Sequence, residues 1–191
     1  MRYMILTKQH VNLVIGAVAL LLVGTILSVS VFAKENRLLP IYSVETNEKK
    51  IAISFDAAWG ADDTDTLISI LKEYNVPATF FVVGEWVDKY PEEVKKLSDA
   101  GHDVMNHSST HPYMTKLGTD KMLEELNTCN QKIAAITGKT PTLFRAPYGD
   151  YNNSVIQTVE SIGMKTIQWD VDTIDTKVMT NEYHCAIMSI V

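Results

Sequence analysis

Cysteine is almost absent from this 191-residue chain. Only Cys129 and Cys185 occur, so neither a disulfide framework nor a four-thiolate zinc site can be assembled. Blocks of Lys or Arg are missing too. With a net charge of -6 and a pI of about 5.3, the chain has no basic footprint for nucleic acid. The acidic mean also disfavours adhesion to anionic polymers, although a local patch can differ from the mean. Glycine-rich phosphate loops are lacking: neither G-x-G-x-x-G nor G-x-x-x-x-G-K occurs, which removes the usual dinucleotide and P-loop signatures. Internal repeats and low-complexity tracts are absent.

What is present is the composition of a folded protein, 46% hydrophobic and 21% charged. The length suits one domain and a short appendage. That appendage is residues 1–33. Arg2 and Lys8 precede an apolar run of 23 residues, Val11 to Ala33, long enough to cross a hydrocarbon core that needs about 20 helical residues. The positive flank predicts a cytoplasmic start, with the remainder outside. The run exceeds a usual signal-peptide core, so a retained single-pass membrane anchor is expected, with cleavage after Ala33 as the alternative. Removing Arg2 and Lys8 with this segment takes the net charge of the remainder from -6 to -8. Residues 34–47 read as a linker, and 48–191 as the domain.

The domain alternates strand and helix. Apolar runs predict strands over 50–55, 78–83, 102–106, 142–145 and 164–169, the first a buried parallel strand running into Asp56. Helices are predicted over 62–74, 91–100, 119–137 and 153–162 from their 3.6-residue period, with Pro91 at a first turn and Gly101, Gly138 and Gly163 beyond helix ends. This βαβαβαβαβ order implies parallel pairing. Asp56, His107, Arg145, Asp170 and Asp172 fall at the C-terminal ends of four different strands. An open doubly wound sheet concentrates its site at one switch point, whereas a barrel draws one group from each of several strands. The fold expected is α/β, a distorted and incomplete (β/α) barrel behind one N-terminal transmembrane helix.

The chemistry-bearing residues follow. His107 and His111, in Asn106-His107-Ser108-Ser109-Thr110-His111-Pro112, have the i, i+4 spacing of one face of a helical turn, and two imidazoles can share an ion; a pair of surface histidines is the plainer reading. A carboxylate such as Asp56 ending a buried strand must be solvated, paired or functional. Arg145 can hold it by bidentate hydrogen bonds. Trp169-Asp170-Val171-Asp172-Thr173-Ile174-Asp175 places three acids after a strand.

Taken in order, these segments resemble the polysaccharide deacetylases of carbohydrate esterase family 4, the nodulation-type deacetylase domain, over nearly all of Glu48–Lys177. Ser54-Phe55-Asp56 is similar to the first motif, His107 to His111 to the second, Arg145-Ala146-Pro147-Tyr148-Gly149 to the third and Asp172 to Asp175 to the fourth. The resemblance implies metal-dependent removal of N-acetyl, sometimes O-acetyl, groups from chitin-like or peptidoglycan sugars, with a divalent metal of the zinc type. It implies Asp56 as base, Arg145 and Asp172 beside it, and His107 and His111 on the metal. Tyr148, Trp59 and Trp169 then line the acetylated polysaccharide. The anchor and the Asp-Ala-Ala-Trp-Gly segment look most like deacetylases of spore-forming Gram-positive bacteria, some linked to sporulation.

Three departures shape the expectation. The family carries a metal-binding Asp directly after the base, where this chain has Ala57, with Asp62 or Asp63 as possible substitutes. Thr176 replaces a Trp of the fourth motif. The Leu-x-x-His motif that supplies the general acid has no counterpart, and His184 stands too near the fifth strand to take its place. A C-terminally truncated domain, with two sheet edges exposed and doubtful turnover, is therefore expected. Two rivals remain: a glycan-binding or scaffold protein of the same fold, and a zinc hydrolase of another fold.

Overall fold

The computed structural model describes residues 8–9, 12–21, 36–172 and the backbone of 183–189. The chain divides into two units, Met1–Arg37 and Leu38–Val191. In the first, residues 12–21 are helical and exposed. Among the described residues no helix is long and apolar enough to cross a membrane, and most of the run expected to span one lies outside them.

The second unit is built on one sheet. Its strands are β1 (Ile51–Ala57), β2 (Thr79–Val82), β3 (Asp103–Asn106), β4 (Leu143–Phe144), β5 (Lys165–Thr166), β6 (Val171–Asp172) and β7 (Tyr183–Ser189), in the order β5-β4-β3-β2-β1-β7-β6. From β1 to β5 each strand pairs parallel with its neighbour in sequence. No reversal of order occurs, so there is no switch point; this is the winding of a barrel.

Chain length shows that the sheet curls. Laid flat, β5 and β6 would lie six strand spacings apart, about 29 Å at ~4.8 Å each. The chain from Thr166 to Val171 spans at most about 18 Å when fully extended. The two ends of the sheet must therefore bend toward each other.

Five helices pack around the parallel strands: α1 (Thr64–Glu73), α2 (Gly84–Lys89), α3 (Pro91–Asp99), α4 (Thr119–Thr137) and α5 (Asn153–Ser161). The short α2 is absent from the sequence reading, in which Gly84 only ends the second strand. Six residues are too few to show a helical period. Pro91 opens α3. Gly138, at φ 71°, closes α4 in the left-handed region and returns its N–H to the Ala134 carbonyl. Asn152 caps α5 by accepting the Val155 N–H at 3.0 Å. One apolar layer joins Phe55, Phe80, Val82, Trp86, Leu97 and Ile133; another joins Met122, Leu126, Phe144, Val155 and Val159.

Both sheet edges differ from expectation. Residues 34–47 read as a linker, yet Ile41 forms a parallel bridge to Ile167, donating to the Thr166 carbonyl at 2.9 Å and accepting from the Gln168 N–H at 2.8 Å. The β5 edge is thus partly occupied. At the β1 edge, β7 runs antiparallel along the whole of β1 and places His184 in register with Asp56. Separation in sequence from the fifth strand does not limit that register, because the curled sheet brings the chain back beside β1.

Candidate active site

Asp56, the penultimate residue of β1, has 9% of its surface exposed, and Arg145, just beyond β4, is fully buried. Arg145 Nη1 donates to Asp56 Oδ1 at 2.6 Å, while Nη2 donates to Ser54 Oγ at 2.7 Å. The expected bidentate grip on Asp56 is therefore split between two residues. Ser54 and Asp56 are two apart on one strand and share a face, so a flat guanidinium can reach both. Phe81 supports the guanidinium at 4.1 Å and Trp169 lies 5.7 Å from it. Arg145 Nε is buried without a hydrogen-bond partner among the described residues.

His107 follows β3 and is 3% exposed. Its Nδ1 lies 2.8 Å from the Arg145 carbonyl. A carbonyl only accepts, so Nδ1 carries a proton, and Nε2 lies 3.8 Å from Asp56 Oδ2. Strands β1, β3 and β4 thus deliver Asp56, His107 and Arg145 to one point at their C-terminal ends.

His111 reaches the same point by a route the i, i+4 spacing does not predict. Residues 107–111 are not helical; Ser108 and His111 have φ of 68° and 59°, in the left-handed region. The rings still meet edge to face, with centroids 5.0 Å apart. Side chains elsewhere hold this loop. Asn106 Oδ1 accepts from Ser108 N–H at 2.7 Å, and Ser108 Oγ accepts from His111 N–H at 3.0 Å. Glu125 of α4 accepts from the Ser109 and Thr110 N–H groups at 2.7 and 2.8 Å and from the Thr110 hydroxyl at 2.8 Å. Gly84 permits the loop to pass close to α2: a Cβ there would lie 3.0 Å from Ser109 Cα. Burial, then the neighbouring His107, push the His111 imidazole down to about 4, so it is neutral at ordinary pH with a lone pair to give.

Exposed aromatics surround His111. Trp59 lies 5.8 Å away, centroid to centroid, and is 70% exposed. Tyr148, at φ 60°, lies 4.6 Å away. Tyr113, which the sequence reading did not single out, stacks on Tyr148 at 4.2 Å. Asp172 is exposed on β6.

The donors fit a metal ion incompletely. His111 is neutral with a lone pair to give, and its Nδ1 is buried without a hydrogen-bond partner among the described residues. A catalytic zinc centre holds three protein ligands. Ala57 is fully buried in the apolar layer, and among the described residues no group of three or more His, Cys, Asp or Glu is placed to bind a metal. Asp62 and Asp63 do not complete the set.

Sequence reasoning missed the residues that shape this site rather than form it: Ser54's role, Asn106, Glu125 and Tyr113. The only trace of Asn106 and Ser54 in one dimension is a polar residue ending or interrupting an apolar strand. Glu125 looks like any solvated helix position.

A polysaccharide deacetylase family profile matches residues 43–167. The peptidoglycan-N-acetylmuramic acid deacetylase PdaA of Bacillus subtilis is 35% identical over 138 residues, 72% of this chain and 52% of that protein. The crystal structure of the wild-type BA3943 carbohydrate esterase family 4 pseudoenzyme from Bacillus anthracis matches at TM-score 0.66 and 34% identity, over 75% of this chain and 49% of that one. A mutant of that pseudoenzyme with restored enzymatic activity matches at TM-score 0.66 and 35% identity, over 75% and 50%. The chain spans about half the length of these relatives. Profile, relatives and the ordered delivery of Asp56, His107, His111 and Arg145 to one sheet edge agree: the chain belongs to the polysaccharide deacetylase family.

Proposed function

We propose that the groove around Asp56 takes an N-acetylated sugar of peptidoglycan or a chitin-like polymer, and that this chain hydrolyses the acetamide weakly or not at all. One observation carries the reading: a buried Asp56–Arg145 pair faces the imidazoles of His107 and His111, while Ala57 stands where an acid would follow the base and, among the described residues, no third ligand joins them. Asp56 Oδ1 is taken by Arg145, and Oδ2, toward His107, is the oxygen that would accept a proton from an attacking water. Arg145 holds that carboxylate in place. His107 and His111 would hold a divalent ion of the zinc type, which when bound polarises the acetyl carbonyl and acidifies water. Trp59 and Tyr148 offer apolar faces to the sugar ring, and Trp169 lies beside Arg145.

The same fold tolerates loss of turnover, as the pseudoenzyme relative illustrates, so a glycan-binding role without catalysis is the second reading. Acetate release from chitin oligosaccharides and N-acetylated peptidoglycan, combined with zinc analysis, tests both. We expect glycan binding, little acetate, and zinc that is lost with His107→Ala. Ala57→Asp should raise zinc affinity by adding a charged oxygen ligand. Robust turnover by the unaltered chain, abolished by Asp56→Asn, would show that the site is complete. We further propose that residues 1–33 remain as a membrane anchor with the domain outside, supported by the apolar run from Val11 to Ala33 and its Arg2 and Lys8 flank. N-terminal sequencing of protein from the membrane fraction tests this, and a start at Lys34 would refute it.

A further inference from the structure

Two short turns meet beside His111. Tyr113 precedes the 3₁₀ turn Met114–Lys116, and Tyr148 lies inside the 3₁₀ turn Pro147–Gly149. Asp150 joins them: it accepts the Thr115 N–H at 2.8 Å and the Thr115 hydroxyl at 2.8 and 2.9 Å. With the turns tied, Tyr113 and Tyr148 stack nearly parallel, 16° between planes. Lys116 then folds back so that Nζ lies 4.3 Å from the Tyr113 ring centre. The outcome is a column, His111–Tyr148–Tyr113–Lys116, whose successive contacts are 4.6, 4.2 and 4.3 Å. It runs from a candidate metal ligand to a cation, and both tyrosines are about half exposed, at 46% and 55%.

Lys116 is held by an aromatic face and not by an acid. Lys95, Lys96, Lys121 and Lys132 each pair with an Asp or Glu. Lys116 makes no ion pair among the described residues, and Asp150, the acid on the adjoining turn, is hydrogen-bonded to Thr115. An aromatic face seats the ammonium without neutralising it. In a domain of strongly negative net charge, an acidic ligand is repelled unless a local cation receives it. The backbone of Tyr148 is also held at φ 60°, a conformation costly for a bulky residue and concentrated at ligand sites.

We propose that Lys116 is an anion subsite at the outer end of the groove, which takes the carboxylate of an acidic N-acetylated sugar in the same strand. Tyr113 seats the cation, and the Thr115–Asp150 clamp holds the two turns that carry the column together. This rests on the groove accepting an acetylated glycan, and it narrows that glycan to one bearing carboxylates.

Calorimetric titration of the full chain with two tetrasaccharides tests it. One is neutral chitotetraose; the other is a peptidoglycan strand in which alternate sugars carry a lactyl carboxylate. We expect the acidic strand to bind about three- to fivefold more tightly at low salt, the range of an exposed ion pair, with the preference lost at 1 M salt. Lys116→Gln should erase the preference and leave chitotetraose unchanged. Tyr113→Phe should keep the preference, and Tyr113→Ala should reduce it. A preference that survives Lys116→Gln, or equal loss on both strands, would overturn the subsite while leaving the glycan reading intact. Failure of the unaltered chain to bind either strand would overturn both.

Discussion

Asp56 and Arg145 show how much one residue's cost depends on its partner. Both are nearly or fully buried and their contact is 2.6 Å. Arg145→Ala strands a buried carboxylate and should cost about 3–5 kcal/mol; Asp56→Asn keeps a hydrogen-bond acceptor and should cost less. Urea denaturation of the two variants checks the order, and equal losses would refute it. At the opposite end of the strands, His102 is 5% exposed and its Nδ1 accepts the Ala78 N–H at 3.3 Å. Burial pulls its pKa below 6.5, against a smaller opposing pull from Asp103. Below 6.5 the unfolded chain therefore takes up the proton before the folded one does. Stability is full above that pH and declines beneath it. NMR titration of the His102 ring should give a midpoint under 6.5, and His102→Gln should flatten this part of the stability profile.

At the level of elements, the site depends on α4 as much as on the loop that carries it. Three hydrogen bonds from residues 109–110 end on Glu125. Glu125→Ala leaves the buried Ser109 N–H unsatisfied, with an expected loss of about 1–3 kcal/mol. Hydrogen exchange at Ser109 and Thr110 should accelerate well beyond that at Val104 in β3. Unchanged protection would mean that Asn106 and Ser108 hold the loop unaided. The helical spacing of His107 and His111 pointed to their meeting but to the wrong backbone, since capping side chains and two left-handed residues bring them together.

For the whole molecule, β7 decides whether one side of β1 is exposed. It pairs with all seven residues of β1, covering an edge that otherwise presents free N–H and C=O groups to other chains. A chain ending before Tyr183 should therefore aggregate at lower concentration than the full chain. Light scattering at matched concentrations measures this, and identical behaviour would show that β7 is dispensable.

Most of the parallel core was legible because its signals are local. Apolar runs of strand length, Pro91 and Gly138 at helix termini, and polar residues ending strands β1, β3 and β4 each act within a few residues of themselves. Those polar strand ends also named Asp56, His107 and Arg145, since parallel strands carry their C-terminal residues to one edge. By itself, then, the sequence determined the alternating elements, the family, and that Asp56, His107 and Arg145 fall at one sheet edge. Only the tertiary structure decided that Arg145 divides its grip between Asp56 and Ser54, that Glu125 braces the histidine loop, and that Tyr113 joins Tyr148. The same holds for Ile41 and β7 at the two sheet edges. Each of these pairings lies at least 15 residues apart in sequence, and burial and curvature select such partners where no local period records them.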